Sequence, residues 1–159
     1  MTSQWHYFDT SVLVKLFFSE RGSEEARRLW QKTEVLIATS PATFLEVHSA
    51  LAKKRVRGEL TENAWQTAVR HFEREMAVGL ALGKVFLVPI DELLFAEAAG
   101  AIREAGSRWS RILTVIDSLH LAGVLRLQPM GAVFVSSDRT LCEVASLFGI
   151  SVTEIGVRG

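Results

Sequence analysis

The chain has 159 residues, 48% of them apolar, which excludes an intrinsically disordered segment and fits one domain burying roughly 70% of its unfolded surface. Its 18 basic and 18 acidic residues cancel, excluding a uniformly basic nucleic-acid binder, so contact with a polyanion has to come from a local patch. The single cysteine, Cys142, excludes an internal disulfide framework and a cysteine-rich metal site, and its apolar surroundings read as a packed core.

Trp5–Phe8 reads as a first strand, followed almost at once by a helix over Ser11–Phe18. A second helix runs over Ser23–Lys32, with Ala26, Leu29 and Trp30 on one face, and Val35–Thr39 is a second strand. Ser40-Pro41 then marks a helix start, serine as N-cap and proline at the first helical position, with the helix reaching about Arg57 before Gly58. Thr61 caps the next helix, whose Trp65, Val69, Phe72 and Met76 recur at helical spacing.

Val85–Ile90 reads as a third strand and Asp91–Glu104 as a helix ending near Gly106, with Ser107–Arg111 as the most loop-like interior stretch. Thr114 caps a helix through about Leu127, and Pro129 and Gly131 mark the following turn. Ala132–Ser136 is a fourth strand, Arg139–Phe148 a helix ended by Gly149, and Ile150–Ile155 a last strand. Strands of this length alternating with helices point to an α/β fold, a parallel sheet with helices on both faces in a three-layer sandwich. With no linker or repeat, residues 1–159 read as one domain.

A mean hydropathy of +0.20 is on the apolar side for a small domain, consistent with surface buried against a partner or a second copy. The start Met-Thr-Ser-Gln has no basic leader, and the apolar run Met76–Ile90 is broken by Gly79, Gly83, Lys84 and Pro89. Both point to a cytoplasmic protein without membrane contact.

Four acids stand where strands give way to helices: Asp9, Glu46, Asp117 and Asp138. In open parallel sheets, ligands bind beyond the carboxyl ends of the strands, where strand order reverses. Asp9 and Asp138 follow strands, and the helix of Glu46 leaves the carboxyl end of the second strand; Asp117 opens a helix with no recognisable strand before it. Asp9 and Asp138 also suit N-caps, and Thr114-Val-Ile-Asp117 reads as a capping box. Glu46 has no capping role, and its helical face carries Ala42, Thr43, Ser49, Ala50 and Lys53, small or polar residues suited to a cleft. Clustered carboxylates repel one another and raise one another's pKa unless a cation sits among them. Hard oxygen donors suit Mg2+ or Mn2+.

The chain resembles PIN-domain nucleases of the VapC toxin type. The resemblance rests on Tyr7-Phe-Asp9-Thr-Ser-Val-Leu-Val-Lys15, Phe44-Leu-Glu46-Val, Ile116-Asp117-Ser-Leu-His-Leu-Ala122, Val133-Phe-Val-Ser136-Ser-Asp138-Arg-Thr-Leu141 and Ala145-Ser-Leu-Phe-Gly149-Ile. It covers about Tyr7 to Ile155; Gly58 to Ser110 matches only in helical character. The resemblance implies metal-dependent cleavage of RNA, with Asp9, Glu46, Asp117 and Asp138 as catalytic acids and metal ligands. It places the Ser136 hydroxyl two residues before the last acid, where it could hold a metal-bound water, with Thr10 and Ser11 as further supporting residues. In such a site Glu46 or Asp138 could orient the attacking water, and the resemblance implies products with a 5′-phosphate and a 3′-hydroxyl. A homodimer and a cognate antitoxin, whose tail lies near the site, are implied in the same way.

Lys53-Lys54-Arg55-Val-Arg57 is the densest basic run, readable as a solvated helix end or as an RNA-binding patch formed by Lys53, Lys54, Arg55 and Arg57. Arg103, Arg108 and Arg111 form a looser group. His48 and His120 follow acids on helices by two or three positions and are expected to point elsewhere; Trp30, Trp65, Trp109 and Phe72 read as core or interface aromatics. The alternatives to a toxin nuclease are a housekeeping RNA-processing nuclease of the same type, a phosphohydrolase using Asp9 as nucleophile, and a non-catalytic protein-binding module with an acidic pocket. The phosphohydrolase would want an acid at position 11, where Ser11 stands.

Overall fold

A computed structural model describes residues 4–156; Met1–Ser3, on which the reading of the chain start rests, and Val157–Gly159 lie outside it. The strands are β1 (Gln4–Phe8), β2 (Val35–Thr39), β3 (Val85–Leu87), β4 (Val133–Ser136) and β5 (Ser151–Glu154). They form one parallel sheet in the order β3-β2-β1-β4-β5. The helices are α1 (Thr10–Phe17), α2 (Ser23–Gln31), α3 (Ala42–Val56), α4 (Glu62–Ala81), α5 (Glu92–Trp109), α6 (Val115–Leu127) and α7 (Arg139–Leu147). None of these is long and apolar enough to cross a membrane.

Side chains alternate across each strand, and that alternation divides the core into layers. Phe8, Ile37 and Val135 face α1–α4, packing with Val12, Leu51, Phe72 and Met76. Tyr7, Ala38 and Phe134 face the opposite side, with Leu121, Val124, Leu141 and Val144 from α6 and α7. Tyr7 and Phe8 are both fully buried, so β1 is covered on each face, as the apolar run at its end requires. Full burial of one such aromatic contributes roughly 1.5–3 kcal/mol.

Most helix starts follow the expected chemistry. Thr61 and Thr114 accept from Ala64 N and Asp117 N, and Ser40 Oγ accepts from Ala42 N. Pro41 already has helical angles, φ −55° and ψ −30°. Most boundaries fall within about one residue of expectation, and the ends of β3 and α5 differ by more. Strand β3 stops at Leu87, short of Pro89, which has no N–H to give a ladder. Helix α5 runs through Gly106 to Trp109, so Ser107–Trp109 is helix rather than loop. Ala105 is fully buried and Trp109 packs edge-on against Phe148 at 4.9 Å, contacts that hold the extra turn. The helix ends instead at Ser110, in the left-handed region at φ 52°.

The Lys53–Arg57 run is divided by long-range ion pairs. Lys54 bonds Glu20 at 2.9 Å, reaches Glu59 at 3.6 Å and lies 3.8 Å above the Phe18 ring. Glu20 also takes Lys15 at 3.1 Å. Burial would raise the Glu20 carboxyl, but the two ammonium groups outweigh it and hold the group below its ordinary value. Arg55 pairs with Glu62. Lys54 and Arg55 therefore clamp α3 to its neighbours.

Gly123, on α6, faces the buried Tyr7 ring. A Cβ there would lie 2.7 Å from the Tyr7 hydroxyl and 3.0 Å from its Cε2. Gly123→Ala gains about 1 kcal/mol of helix propensity, but overpacking against a side chain with nowhere to move costs about 1–3 kcal/mol. The clash is expected to win, lowering Tm by a few degrees in a thermal melt. A Tm equal to or above that of the parent would mean that Tyr7 can shift freely.

Candidate active site

The connection from β1 runs outward to β2 and β3, and the later chain returns to the other flank of β1 as β4 and β5. Strand order therefore reverses between β1 and β4, the position at which open α/β sheets bind ligands. Asp9 follows β1 directly, and its N–H donates to Val135 O at 3.2 Å. Ser136 ends β4 and is fully buried.

Asp9 is 4% exposed. Its Oδ1 accepts from Ser11 Oγ at 2.6 Å and Val12 N at 3.2 Å, and its Oδ2 accepts from Ser136 Oγ at 2.5 Å. Burial nevertheless pushes the carboxyl above its ordinary value; the charge of His120 and these three hydrogen bonds offset burial only in part. The Ser136 hydroxyl also accepts from Asp138 N at 2.9 Å, so one side chain ties the first acid to the backbone of the last. Ser11 accepts from Ser137 N and Ser137 Oγ, joining the start of α1 to the β4–α7 turn. Asp138 itself caps α7 by accepting from Leu141 N at 3.0 Å.

Glu46 reaches this edge on α3. Thr39, at the end of β2, donates to Phe8 O at 2.7 Å and shares a 2.8 Å hydrogen bond with Thr43 in the first turn of α3. The start of α3 is thus tied to the residue preceding Asp9. Glu46 Oε1 meets His120 Nε2 at 2.9 Å, and His120 Nδ1 meets the Tyr7 hydroxyl at 3.2 Å. His120, expected to point elsewhere, instead bonds the site. Three residues along a helix is about 300°, which returns to nearly the same face; the helical angle from Asp117 to His120 was the available signal. His48 does point elsewhere, between Phe44 O and Glu73.

Asp117 lies in the first turn of α6, which follows a loop rather than a strand. Its Oδ2 accepts from the Thr114 hydroxyl at 2.7 Å while its N–H returns to the same oxygen, a capping pair closed through the hydroxyl. Thr10 has a buried hydroxyl oxygen with no hydrogen-bond partner among the described residues, and Thr10 lines the cleft beside Glu46.

That cleft, about 470 Å³, is lined by Thr10, Leu45, Glu46, Ser49, Ala50, Lys53 and Ile116. Ser49, Ala50 and Lys53 belong to the small or polar face expected around Glu46. Of the basic run, Lys53 is the residue that lines it. Arg108 pairs with Glu104, and Arg111 with Glu143.

Asp9, Glu46 and Asp138 are tied to one sheet edge, while Asp117 bonds Thr114 within its own turn; the acids do not close on one point, and among the described residues no three Asp, Glu, His or Cys side chains converge tightly enough to hold an ion. Their charges still overlap. Burial first, then the charges of Asp9 and Glu46, push the Tyr7 phenol well above its ordinary value. Burial, with Asp9, Glu154 and Asp138, pushes the Cys142 thiol up to about 12. Asp9 therefore acts electrostatically on both flanks. The donor set is all carboxylate oxygen, the chemistry that suits Mg2+ or Mn2+, and a cation beside Asp9 would oppose the effect of burial.

Known proteins are similar to this chain over most of its length. Residues 6–147 match the model of the PIN domain. The chain is 32% identical over 146 residues to Ribonuclease VapC45 and to Ribonuclease VapC49 of Mycobacterium tuberculosis, covering 92% of each chain in both comparisons. This protein belongs to the PIN-domain family. Its fold also resembles that of VapBC-1 from nontypeable Haemophilus influenzae, with a TM-score of 0.59 at 14% identity over 95% of this chain and 99% of that one. The matched segment contains Asp9, Glu46, Asp117 and Asp138, together with the Ser11 and Ser136 hydroxyls that hold the first of them.

Because the folded Asp9 carboxyl is raised above 3.8, its contribution to stability is fully present below the unfolded pKa and lost as pH rises through the folded one. Asp9→Asn removes that ionisation. In EDTA the variant is expected to melt above the parent at neutral pH, at about 2–4 °C per kcal/mol for a chain of this length. The gap should close as pH falls towards 4. A variant that melts well below the parent at neutral pH would mean that burial does not disfavour the charge.

Proposed function

We propose that this protein is a metal-dependent endoribonuclease, the toxin of a toxin–antitoxin pair. The observation that carries the reading is a buried carboxylate, Asp9, at the strand-order reversal, wired through Ser136 towards Asp138 and flanked by Glu46. The 32% identity to two proteins named as ribonucleases supports it over 92% of the chain.

Asp9, Glu46, Asp117 and Asp138 would hold Mg2+ or Mn2+. When bound, such an ion lowers the pKa of a water and offsets charge on phosphate oxygens. The chain's own residues prepare the site. Ser11, Ser136 and Val12 N fix both oxygens of Asp9. His120 fixes one oxygen of Glu46, leaving the other to orient an attacking water. Lys53, beside Glu46 in the cleft, supplies a charge for a substrate phosphate. Hydrolysis would leave a 5′-phosphate and a 3′-hydroxyl.

Ser11 donates to Asp9 at 2.6 Å, filling the place where a phosphohydrolase with an aspartyl nucleophile would want its second acid. That disfavours a phosphomonoesterase. Leu45 and Ile116, at 78% and 37% exposed, line the cleft, and Ile112 and Val115 are exposed in the segment entering α6. These apolar side chains suit an antitoxin segment, or the second subunit of a homodimer, lying near the site.

The test is incubation with single-stranded RNA, structured RNA and a phosphomonoester, with Mg2+, Mn2+ or EDTA. RNA should be cut only when metal is present, the phosphomonoester should survive, and Asp9→Asn should be slower by on the order of 100-fold. Undiminished cutting in EDTA, or by Asp9→Asn of native circular dichroism, overturns the reading. A small reading frame beside the gene whose product blocks cleavage distinguishes a toxin from a housekeeping nuclease.

A further inference from the structure

We propose that His120, anchored by the Tyr7 hydroxyl, is a positioning residue that holds Glu46 in the orientation needed to bind the divalent cation. The inference rests on the metal-site reading above.

A carboxylate of Glu46 can only accept a hydrogen bond. The 2.9 Å contact to His120 Nε2 is therefore Nε2–H donating to Oε1. The other ring nitrogen, Nδ1, meets the Tyr7 hydroxyl at 3.2 Å. The ring is thus held at both nitrogens, by Tyr7 at Nδ1 and by Glu46 at Nε2, and every polar atom of His120 is used.

The anchor is rigid. Tyr7 is 0% and His120 2% exposed. The two rings meet edge to face, 5.9 Å apart at 81°. Gly123, one turn beyond His120, leaves the space that the Tyr7 ring occupies. Glu46, by contrast, sits on the open face of α3 in the cleft, with its side chain 24% exposed. Without a donor from α6 it would be free to sample solvent rotamers. A buried histidine of this kind lines up a ligand carboxylate without touching the cation. Removing such a partner weakens metal affinity by typically 10–100-fold.

The two contacts also assign separate roles to their members. Tyr7→Phe removes the hydroxyl that holds Nδ1, but leaves the ring and its packing. His120→Gln keeps an N–H donor for Glu46, whereas His120→Ala removes it.

The experiment titrates Mn2+ alone, without RNA, into the parent, Asp9→Asn, His120→Ala, His120→Gln and Tyr7→Phe by calorimetry, each with a thermal melt. His120→Ala should bind Mn2+ at least about 10-fold more weakly than the parent. His120→Gln should recover most of the loss, and Tyr7→Phe should fall between. Parent-like affinity in His120→Ala overturns the proposal, as does an equal loss in Ala and Gln. If His120→Ala fails to fold, His120→Gln and Tyr7→Phe decide: the proposal stands if Gln binds more tightly than Tyr7→Phe, and falls otherwise. Undiminished Mn2+ binding by Asp9→Asn would instead overturn the metal-site reading itself, so the two failures are told apart.

Discussion

The structure turns on a carboxylate buried at the end of its central strand. Burial disfavours the charge on Asp9, and three hydrogen bonds offset it only in part. Two come from hydroxyls on different elements, Ser11 at the start of α1 and Ser136 at the end of β4. Satisfying one acid thus fixes the relative position of α1, β1 and β4. Strand β1 can carry such a group because both its faces are covered, by Phe8 on one side and Tyr7 on the other. A polar site at its end is then supported by packing that extends across the sheet.

Helix capping and site building are the same interactions here. Asp9 caps α1, Asp138 caps α7, and Thr114 with Asp117 closes the start of α6. Each cap holds one face of a carboxylate still, and the sheet topology brings the starts of α1 and α7 to one edge. A capping role and a place at this edge are therefore compatible in one residue. Glu46 shows the difference. It lies inside α3, has no backbone N–H to accept, and takes its fixed point from another element, through His120. An acid in a helix start is positioned by its own turn; an acid in mid-helix needs a partner from afar.

That distinction explains what the sequence made legible. Local chemistry was readable: Val35–Thr39 as a strand, and the Thr61 and Thr114 caps. So was the placing of Asp9 and Asp138 beyond their strands, because alternation of strand and helix carries that information. Contacts between distant segments were not. Lys54 reads as one of a basic run, yet Glu20, 34 residues away, claims it. Gly106 reads as a helix end, yet Ala105 burial and the Trp109–Phe148 contact carry α5 past it. Thr39 and Thr43, which tie α3 to the end of β1, have no local signature beyond small polar side chains. His120 is a different case. Its spacing from Asp117 held the information, and counting turns rather than residues recovers it.

Helix α6 combines these lines. It presents to one buried tyrosine both a ring nitrogen, from His120, and an empty place, from Gly123, three positions on and nearly on the same face. Glycine in a helix interior costs about 1 kcal/mol against alanine, and a histidine in the core requires partners for both nitrogens. Each choice alone is unfavourable. Together they let Tyr7 approach α6 closely enough for its hydroxyl to reach Nδ1, while the ring's far nitrogen crosses to Glu46 on α3. The pair makes sense as the means by which the centre of the sheet fixes a carboxylate in the cleft.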